Sequence, residues 1–263
     1  MDLNLKDKSA IVTGASRGLG YAVANVLAGE GARIIINSRD SMKLSESAKL
    51  IGKKYSAQVV PVAGDVVDPS TPVKLIEAAE RNFGSLDLLV TNAGGPPSGP
   101  FESFSDTDWE KAVELSFLCQ VRLIRAALPL LKDSSAASIL TITSFSVKQP
   151  LPNLILSNSI RSATVGLTKS LALELGPQGI RVNSILPAWT QTERVTELME
   201  SRASSNHSSV EDEMAKLTRE SPLGRLGTPE EFARAAVFLL SPAASYLTGV
   251  MLSFDGGFYR GTY

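Results

Sequence analysis

Residues 9–28 read SAIVTGASRGLGYAVANVLA. A β-branched apolar run, Ser9–Thr13, passes directly into Gly14, Gly18 and Gly20, and a helical pattern follows over Gly18–Ala28. Glycines at these three places permit a tight turn, close approach of the backbone to a ligand, and close packing of helix on strand. The helix N-terminus supplies unpaired N–H groups and the positive end of a dipole, which together suit a diphosphate. With the strand before it and the helix after it, the loop reads as nucleotide-binding rather than as a set of turn glycines. Gly14, Ser16, Arg17, Gly18, Leu19 and Gly20 are the expected phosphate-loop residues.

The same strand-then-helix rhythm runs outward from this unit. Further strand candidates are Arg33–Asn37, Gln58–Ala63, Leu86–Thr91, Ser138–Thr143, Ile180–Leu186 and Val250–Phe254. They are nearly unbroken apolar runs, as expected of strands covered on both faces. Pro61 interrupts the third, which an edge or a bulge tolerates. Helical patterns lie at Ser41–Tyr55, Thr71–Phe83, Thr107–Leu131, Asn158–Leu175 and Pro229–Leu240, the last with Thr228 as cap and Glu231 three residues on. The alternation predicts an α/β fold: one doubly wound parallel sheet of about seven strands, helices on both faces, forming a single domain over 1–263.

Glu193–Ser221 breaks the rhythm. It is charged and Ser-rich, with Val195, Leu198, Met199, Val210, Met214 and Leu217 at helical spacings, and Ser208 with Glu211 as a capping box. Two short helices are expected there. They form either a solvated hairpin or, since they follow a strand's C-terminal end, a lid over the pocket at 193–221.

Composition excludes several classes. The 263 residues carry 26 basic and 27 acidic side chains, a net charge of −1, so no global field attracts nucleic acid or an anionic membrane. One cysteine (Cys119) and one histidine (His207) leave no disulfide framework, no metal cluster and no Ser-His-Asp triad. No apolar run approaches the ~18 residues of a membrane span, and the N-terminus lacks a signal-peptide pattern. A cytoplasmic protein is the expectation.

Thr13–Gly20, TGASRGLG, resembles the glycine loop of the short-chain dehydrogenase/reductase family. Three further stretches follow in the family's order: Thr91-Asn92-Ala93-Gly94, Pro187 through Thr192, and Tyr246-Leu247-Thr248-Gly249 through Asp255-Gly256-Gly257. The resemblance covers essentially the whole chain. It implies a Rossmann-type fold and a bound nicotinamide dinucleotide. Asp65 and Val66 would flank the adenine, Asn92, Ala93 and Gly94 the ribose and backbone, and Pro187 and Thr192 the nicotinamide. It also implies a homotetramer or dimer, with contacts through the helix carrying Arg161 and the C-terminal elements. The second strand ends Asn37-Ser38-Arg39, without the carboxylate that usually accepts from an NAD ribose. Ser38, Arg39 and Arg17 therefore point to NADP(H) in preference to NAD(H), a forked cation suiting a 2′-phosphate. The alternative gives the ribose to Asp40 and leaves Arg39 on the surface.

The family's catalytic group is Ser, Tyr and Lys, with Asn as a fourth member. The serine is present as Ser144, just after the fifth strand. Where Tyr-x-x-x-Lys is expected, the chain reads Ser157-Asn158-Ser159-Ile160-Arg161, and the Asn position is Ser116. Ser157 and Arg161 are four apart, on one helix face, so Arg161 retains reach to the ribose. A serine hydroxyl is far weaker as an acid than an activated phenol. Ser116 serves either as a water ligand or as a small core residue. The stretches Val147–Pro150, Ser157–Arg161 and AGGPPSGPF (93–101) resemble a divergent β-ketoacyl carrier-protein reductase-like branch that lacks the usual tetrad.

The resulting expectation is an NADP(H)-dependent oxidoreductase acting on a small carbonyl or alcohol. Ser144 would bind the oxygen, Arg161 the ribose, and Ser157, Asn158 or a water would move the proton. The other expectation is a catalytically inactive NADP(H)-binding protein, a sensor or oligomer partner.

Overall fold

Ile11, Ile35, Leu89 and Ile139 enter one apolar layer, and Val12, Ile36, Val90 and Leu140, one residue further along the same strands, enter another. Successive side chains of a strand point to opposite faces, so both faces of this sheet are buried. The unbroken apolar runs of the sequence have this cause. The computed structural model describes residues 1–262. Its strands are β1 (Ser9–Val12), β2 (Arg33–Ser38), β3 (Val59–Ala63), β4 (Leu88–Thr91), β5 (Ser138–Ile142), β6 (Arg181–Pro187) and β7 (Met251–Phe254). They form one parallel sheet in the order β3-β2-β1-β4-β5-β6-β7. The order reverses between β1 and β4, the switch point where such sheets open a crevice at their carboxyl ends.

One face carries α1 (Gly18–Gly29), α2 (Ser41–Tyr55) and α9 (Pro229–Leu240). The other carries α3 (Ser70–Phe83), α5 (Cys119–Lys132) and α6 (Ile155–Leu175). The Thr228–Glu231 capping box of α9 forms as its spacing predicts. At its other end, Arg181 donates to the carbonyls of Leu239 and Leu240 at 2.7 Å each, satisfying terminal acceptors of that helix. Pro61 sits on β3, an edge strand; Gln58 and Gly64 use the groups facing β2, so by alternation the ring nitrogen of Pro61 faces away from the sheet.

Two local expectations are corrected. The single helix over Thr107–Leu131 is α4 (Asp106–Val113) joined to α5 through a π-helical turn at Glu114–Leu118. That wider turn frees carbonyls, which side chains take up: Cys119 Sγ donates to Leu115 O (2.9 Å), and both Gln120 Nε2 (2.8 Å) and Thr164 Oγ1 (3.0 Å) donate to Ser116 O. In 193–221 the helices are α7 (Glu193–Asn206) and α8 (Val210–Glu220), but the capping box is Ser209 with Asp212, not Ser208 with Glu211. Ser208 instead donates to Glu213 Oε1 at 2.7 Å, one residue past the left-handed His207 that ends α7. The six apolar residues singled out in this segment pack together with Leu226 and Trp189 in a cluster of their own.

Candidate active site

The C-terminal ends of the strands open into one cavity of about 720 Å³, running from the glycine loop to the start of α7. At its glycine-loop end, Gly14 and Gly18 both adopt φ near +60°, a region natural to glycine. Gly20 does not line the cavity; it packs beneath it, where a Cβ would stand 2.3 Å from Gly14 O and 2.8 Å from Asn92 Nδ2. Asn92 braces the loop in turn, donating from Nδ2 to Gly14 O (3.2 Å), while its backbone exchanges hydrogen bonds with Thr13 Oγ1 (2.8 and 2.9 Å). The first turn of α1 has no side-chain cap and no acidic residue, leaving its N–H groups free for an anion. Ser16, Arg17 and Leu19 complete this end.

The end beside β2, where the adenosine is expected, is lined by Ser38, Arg39, Asp65 and Val66. Arg39 is 78% exposed and lies 3.9 Å from Asp65 Oδ2, held only by that weak pair. Asp40 is engaged elsewhere: its Oδ1 accepts from the backbone N of Met42 (3.1 Å) and Lys43 (3.0 Å), capping α2. Lys43 also lines this end and is a second cation that the sequence reading missed. Arg17, expected alongside Arg39, turns the other way and ion-pairs with Glu193 and, at 3.9 Å, with Glu197 of α7.

At the opposite end, Ser144, Ser157 and Arg161 converge with Ala93, Gly94, Pro187 and Thr192. Ser144 begins a short 3-10 turn; its Oγ accepts from Ser146 N at 3.1 Å, which leaves the hydroxyl hydrogen available to a ligand. Arg161 is buried, and its Nη1 donates to the carbonyls of Ile142 (3.3 Å) and Thr143 (3.0 Å) at the end of β5. Burial first, then the nearby Arg194, lower its pKa to about 10, so it is cationic at neutral pH. Among the described residues no tyrosine lines the cavity.

Two expected participants stand outside this group. Ser116 is buried behind the wall, its hydroxyl unpartnered and its carbonyl taken by Gln120 and Thr164. Asn158 faces Leu151, donating to its carbonyl (2.9 Å) and accepting from its N–H (3.3 Å), and so fastens the segment before α6. Cys119 is buried with its thiol pushed up to about 12, chiefly by burial, and is no nucleophile at neutral pH. The sequence reading passed over Arg194, which enters the cavity from the first turn of α7; its position two residues after Thr192 was the one available signal. No helix among the described residues is long and apolar enough to cross a membrane.

A doubly wound sheet with a glycine loop at its switch point and a serine-bearing cavity at its strand ends defines a nucleotide-dependent oxidoreductase class. A family profile described as enoyl-(acyl carrier protein) reductase matches residues 14–259, and the chain belongs to the short-chain dehydrogenase/reductase family. It is 31% identical over 259 residues to the 3-oxoacyl-[acyl-carrier-protein] reductase FabG of Escherichia coli, covering 98% of this chain and 99% of that protein. Among solved structures it resembles the L-sorbose reductase of Gluconobacter frateurii complexed with NADPH and L-sorbose, with a TM-score of 0.94, 31% identity and coverage of 99% and 100%. It also resembles an NADPH-bound short chain oxidoreductase of Pseudomonas aeruginosa PAO1 containing an atypical catalytic center, with a TM-score of 0.89, 31% identity and coverage of 98% and 100%.

Proposed function

We propose that this protein is an NADP(H)-dependent reductase of a small carbonyl compound, working with Ser144, Ser157 and Arg161 in place of the usual Ser-Tyr-Lys group. The observation that carries this reading is that these three residues close the far end of the cavity whose near end is the glycine loop. The dinucleotide supplies the hydride when bound. Gly14, Ser16, Gly18, Leu19 and the free N–H groups of α1 hold its diphosphate, with Gly20 and Asn92 keeping the loop in shape. Asp65 and Val66 flank the adenine, Ala93, Gly94 and Arg161 the riboses, and Pro187 and Thr192 the nicotinamide. Preference for the 2′-phosphate rests on Ser38, Arg39 and Lys43, and on Asp40 being committed to the α2 cap.

Ser144 donates its hydroxyl hydrogen to the substrate oxygen. The Arg161 guanidinium, fixed by Ile142 and Thr143, holds the nicotinamide ribose and so keeps the ring beside Ser144. The short Ser157 side chain leaves room for a water, which brings the proton. Ser116 and Asn158 take no part in this scheme. The pair α7–α8 acts as a lid, since Glu193, Arg194, Val195 and Leu198 face the cavity. A cytoplasmic homo-oligomer belongs to the same reading. Exposed Leu173 on α6 and Tyr246 and Leu247 before β7 lie on the elements expected to make the contacts, and light scattering of the purified protein tests it.

The decisive experiment is a fluorescence titration with NADPH followed by absorbance assays on ketones, aldehydes and β-keto compounds, with Ser144→Ala alongside. Binding plus turnover that falls by about 10²-fold or more in Ser144→Ala is the expected result. Tight binding without turnover across the panel would select the second reading, a non-catalytic NADP(H)-binding protein, which the missing cavity tyrosine favours.

A further inference from the structure

The chain entering α7 links the glycine loop to Arg161. A Cβ built on Gly18, the first residue of α1, would stand 4.0 Å from Thr192 Cγ2. Glu193 follows and pairs with Arg17 of the same loop. Arg194, one residue further, lies beside Gly95, where a Cβ would stand 3.5 Å from its Nη2, 3.7 Å from its Nε and 3.8 Å from Arg161 Nη2. In three residues the chain thus passes from the anion-binding start of α1 to the guanidinium on α6.

Both of the guanidinium groups that meet at Gly95 keep a donor in reserve there. Arg161 spends Nη1 on the carbonyls of Ile142 and Thr143, and Arg194 spends Nη2 on Pro96 O (3.1 Å) and Nη1 on Glu197, 3.6 Å away. Among the described residues, Arg161 Nη2 and Arg194 Nε have no hydrogen-bond partner, although Arg161 is more than nine-tenths buried. Charge is also in excess. Arg17, Arg161 and Arg194 share two carboxylates: Glu193 pairs with Arg17, and Glu197 lies between Arg17 and Arg194. Neither pairs with Arg161, whose principal charged neighbour is Arg194. Like charges repel in a partly desolvated pocket, and a buried cation without a counter-ion is costly. An anion at this point offsets both costs and gains charge-assisted hydrogen bonds.

We propose that Arg194 is a coenzyme-binding residue, holding the nicotinamide-side phosphate of the diphosphate and thereby fastening α7 to the bound dinucleotide. This rests on the coenzyme placement above, in which the start of α1 takes the diphosphate and Arg161 the nicotinamide ribose. That ribose is joined to its phosphate through one CH₂–O link, so this phosphate is the anion within reach of a side chain beside Arg161 on a segment that touches Gly18. Arg39 selects by the 2′-phosphate. Arg194 serves NADPH and NADH alike, because the diphosphate is common to both.

The test uses the full chain, Arg194→Gln and the charge-retaining Arg194→Lys. NADPH and NADH are titrated by fluorescence, and 2′-phospho-ADP-ribose and 2′,5′-ADP by calorimetry. 2′-Phospho-ADP-ribose keeps the whole diphosphate and both riboses without the nicotinamide, whereas 2′,5′-ADP has only the adenosine-side phosphate. In Arg194→Gln the Kd for NADPH, NADH and 2′-phospho-ADP-ribose should each rise about tenfold or more, with that for 2′,5′-ADP unchanged. Arg194→Lys should fall between parent and Arg194→Gln. NADPH affinity unchanged in Arg194→Gln, or 2′,5′-ADP weakened as much as NADPH, overturns the proposal. A loss confined to NADPH and NADH places the contact on the nicotinamide and overturns it as well. A parent protein with no affinity for any of the four ligands overturns the coenzyme reading itself.

Discussion

Arg17, in the glycine loop, is ion-paired with Glu193, the first residue of α7. The pair joins the glycine loop to a helix whose first residues line the cavity, two regions far apart in sequence. It also holds away from the adenosine end a cation suited to a 2′-phosphate. An exposed pair of this kind contributes at most about 1 kcal/mol. Glu193→Gln should therefore release Arg17 and tighten NADPH binding roughly two- to fivefold, with NADH affinity nearly unchanged. Parallel fluorescence titrations check it, and weaker NADPH binding by the variant would contradict it.

Arg39 is exposed and tied only to Asp65. Placing a carboxylate there should remove a charge-assisted contact and add repulsion. Arg39→Asp should raise the Kd for NADPH by about tenfold or more while that for NADH falls or stays level. A parent protein that binds both coenzymes equally would show that Arg39 does not select between them.

Gly20 packs against the loop it follows. Adding a methyl group sets a carbon against Gly14 O and Asn92 Nδ2 at impossible distances, so the loop has to move. Gly20→Ala is expected to cost about 1–3 kcal/mol, lower Tm by several degrees, and weaken NADPH binding by the same displacement. Thermal unfolding and titration read the two effects separately.

Glu231 closes the α9 capping box and pairs with Arg225, which chiefly holds its carboxyl down to about 2, with Thr228 N–H adding to the effect. Because its folded pKa lies below the ordinary 4.5, its stabilisation is present above that pH and is lost as pH falls from about 4.5 through about 2. Glu231→Gln should be less stable than the parent at neutral pH, and the gap should narrow below pH 4. Urea midpoints at pH 7, 4 and 3 measure it; a constant gap would refute it.

The acid-base question shows how far inspection of residue types goes. That Ser157 and Arg161 share a helix face follows from their spacing, and the cavity receives both. Ser116 was equally compatible with a water ligand and a core position. The structure places it in a π turn, buried and with its hydroxyl unpartnered, while Thr164, 48 residues away, occupies its carbonyl. Nothing in the run 107–131 marks that turn, because the partners that stabilise it come from tertiary contacts.

Sequence alone determined the sheet, its covering helices and the nucleotide loop. Each has a short-range signature: two-sided apolar runs in the strands, capping residues at helix ends, and glycines where the backbone must turn and pack closely. Tertiary structure decided what the charged side chains do. Arg194 meets Arg161 beside Gly95, Arg17 leaves the adenosine end for Glu193, and Asp40 is spent on a helix cap. Long flexible side chains take their direction from whichever partner the fold brings near. Arg194 and the Pro96 carbonyl that anchors it are 98 residues apart, so no local pattern could have recorded the meeting.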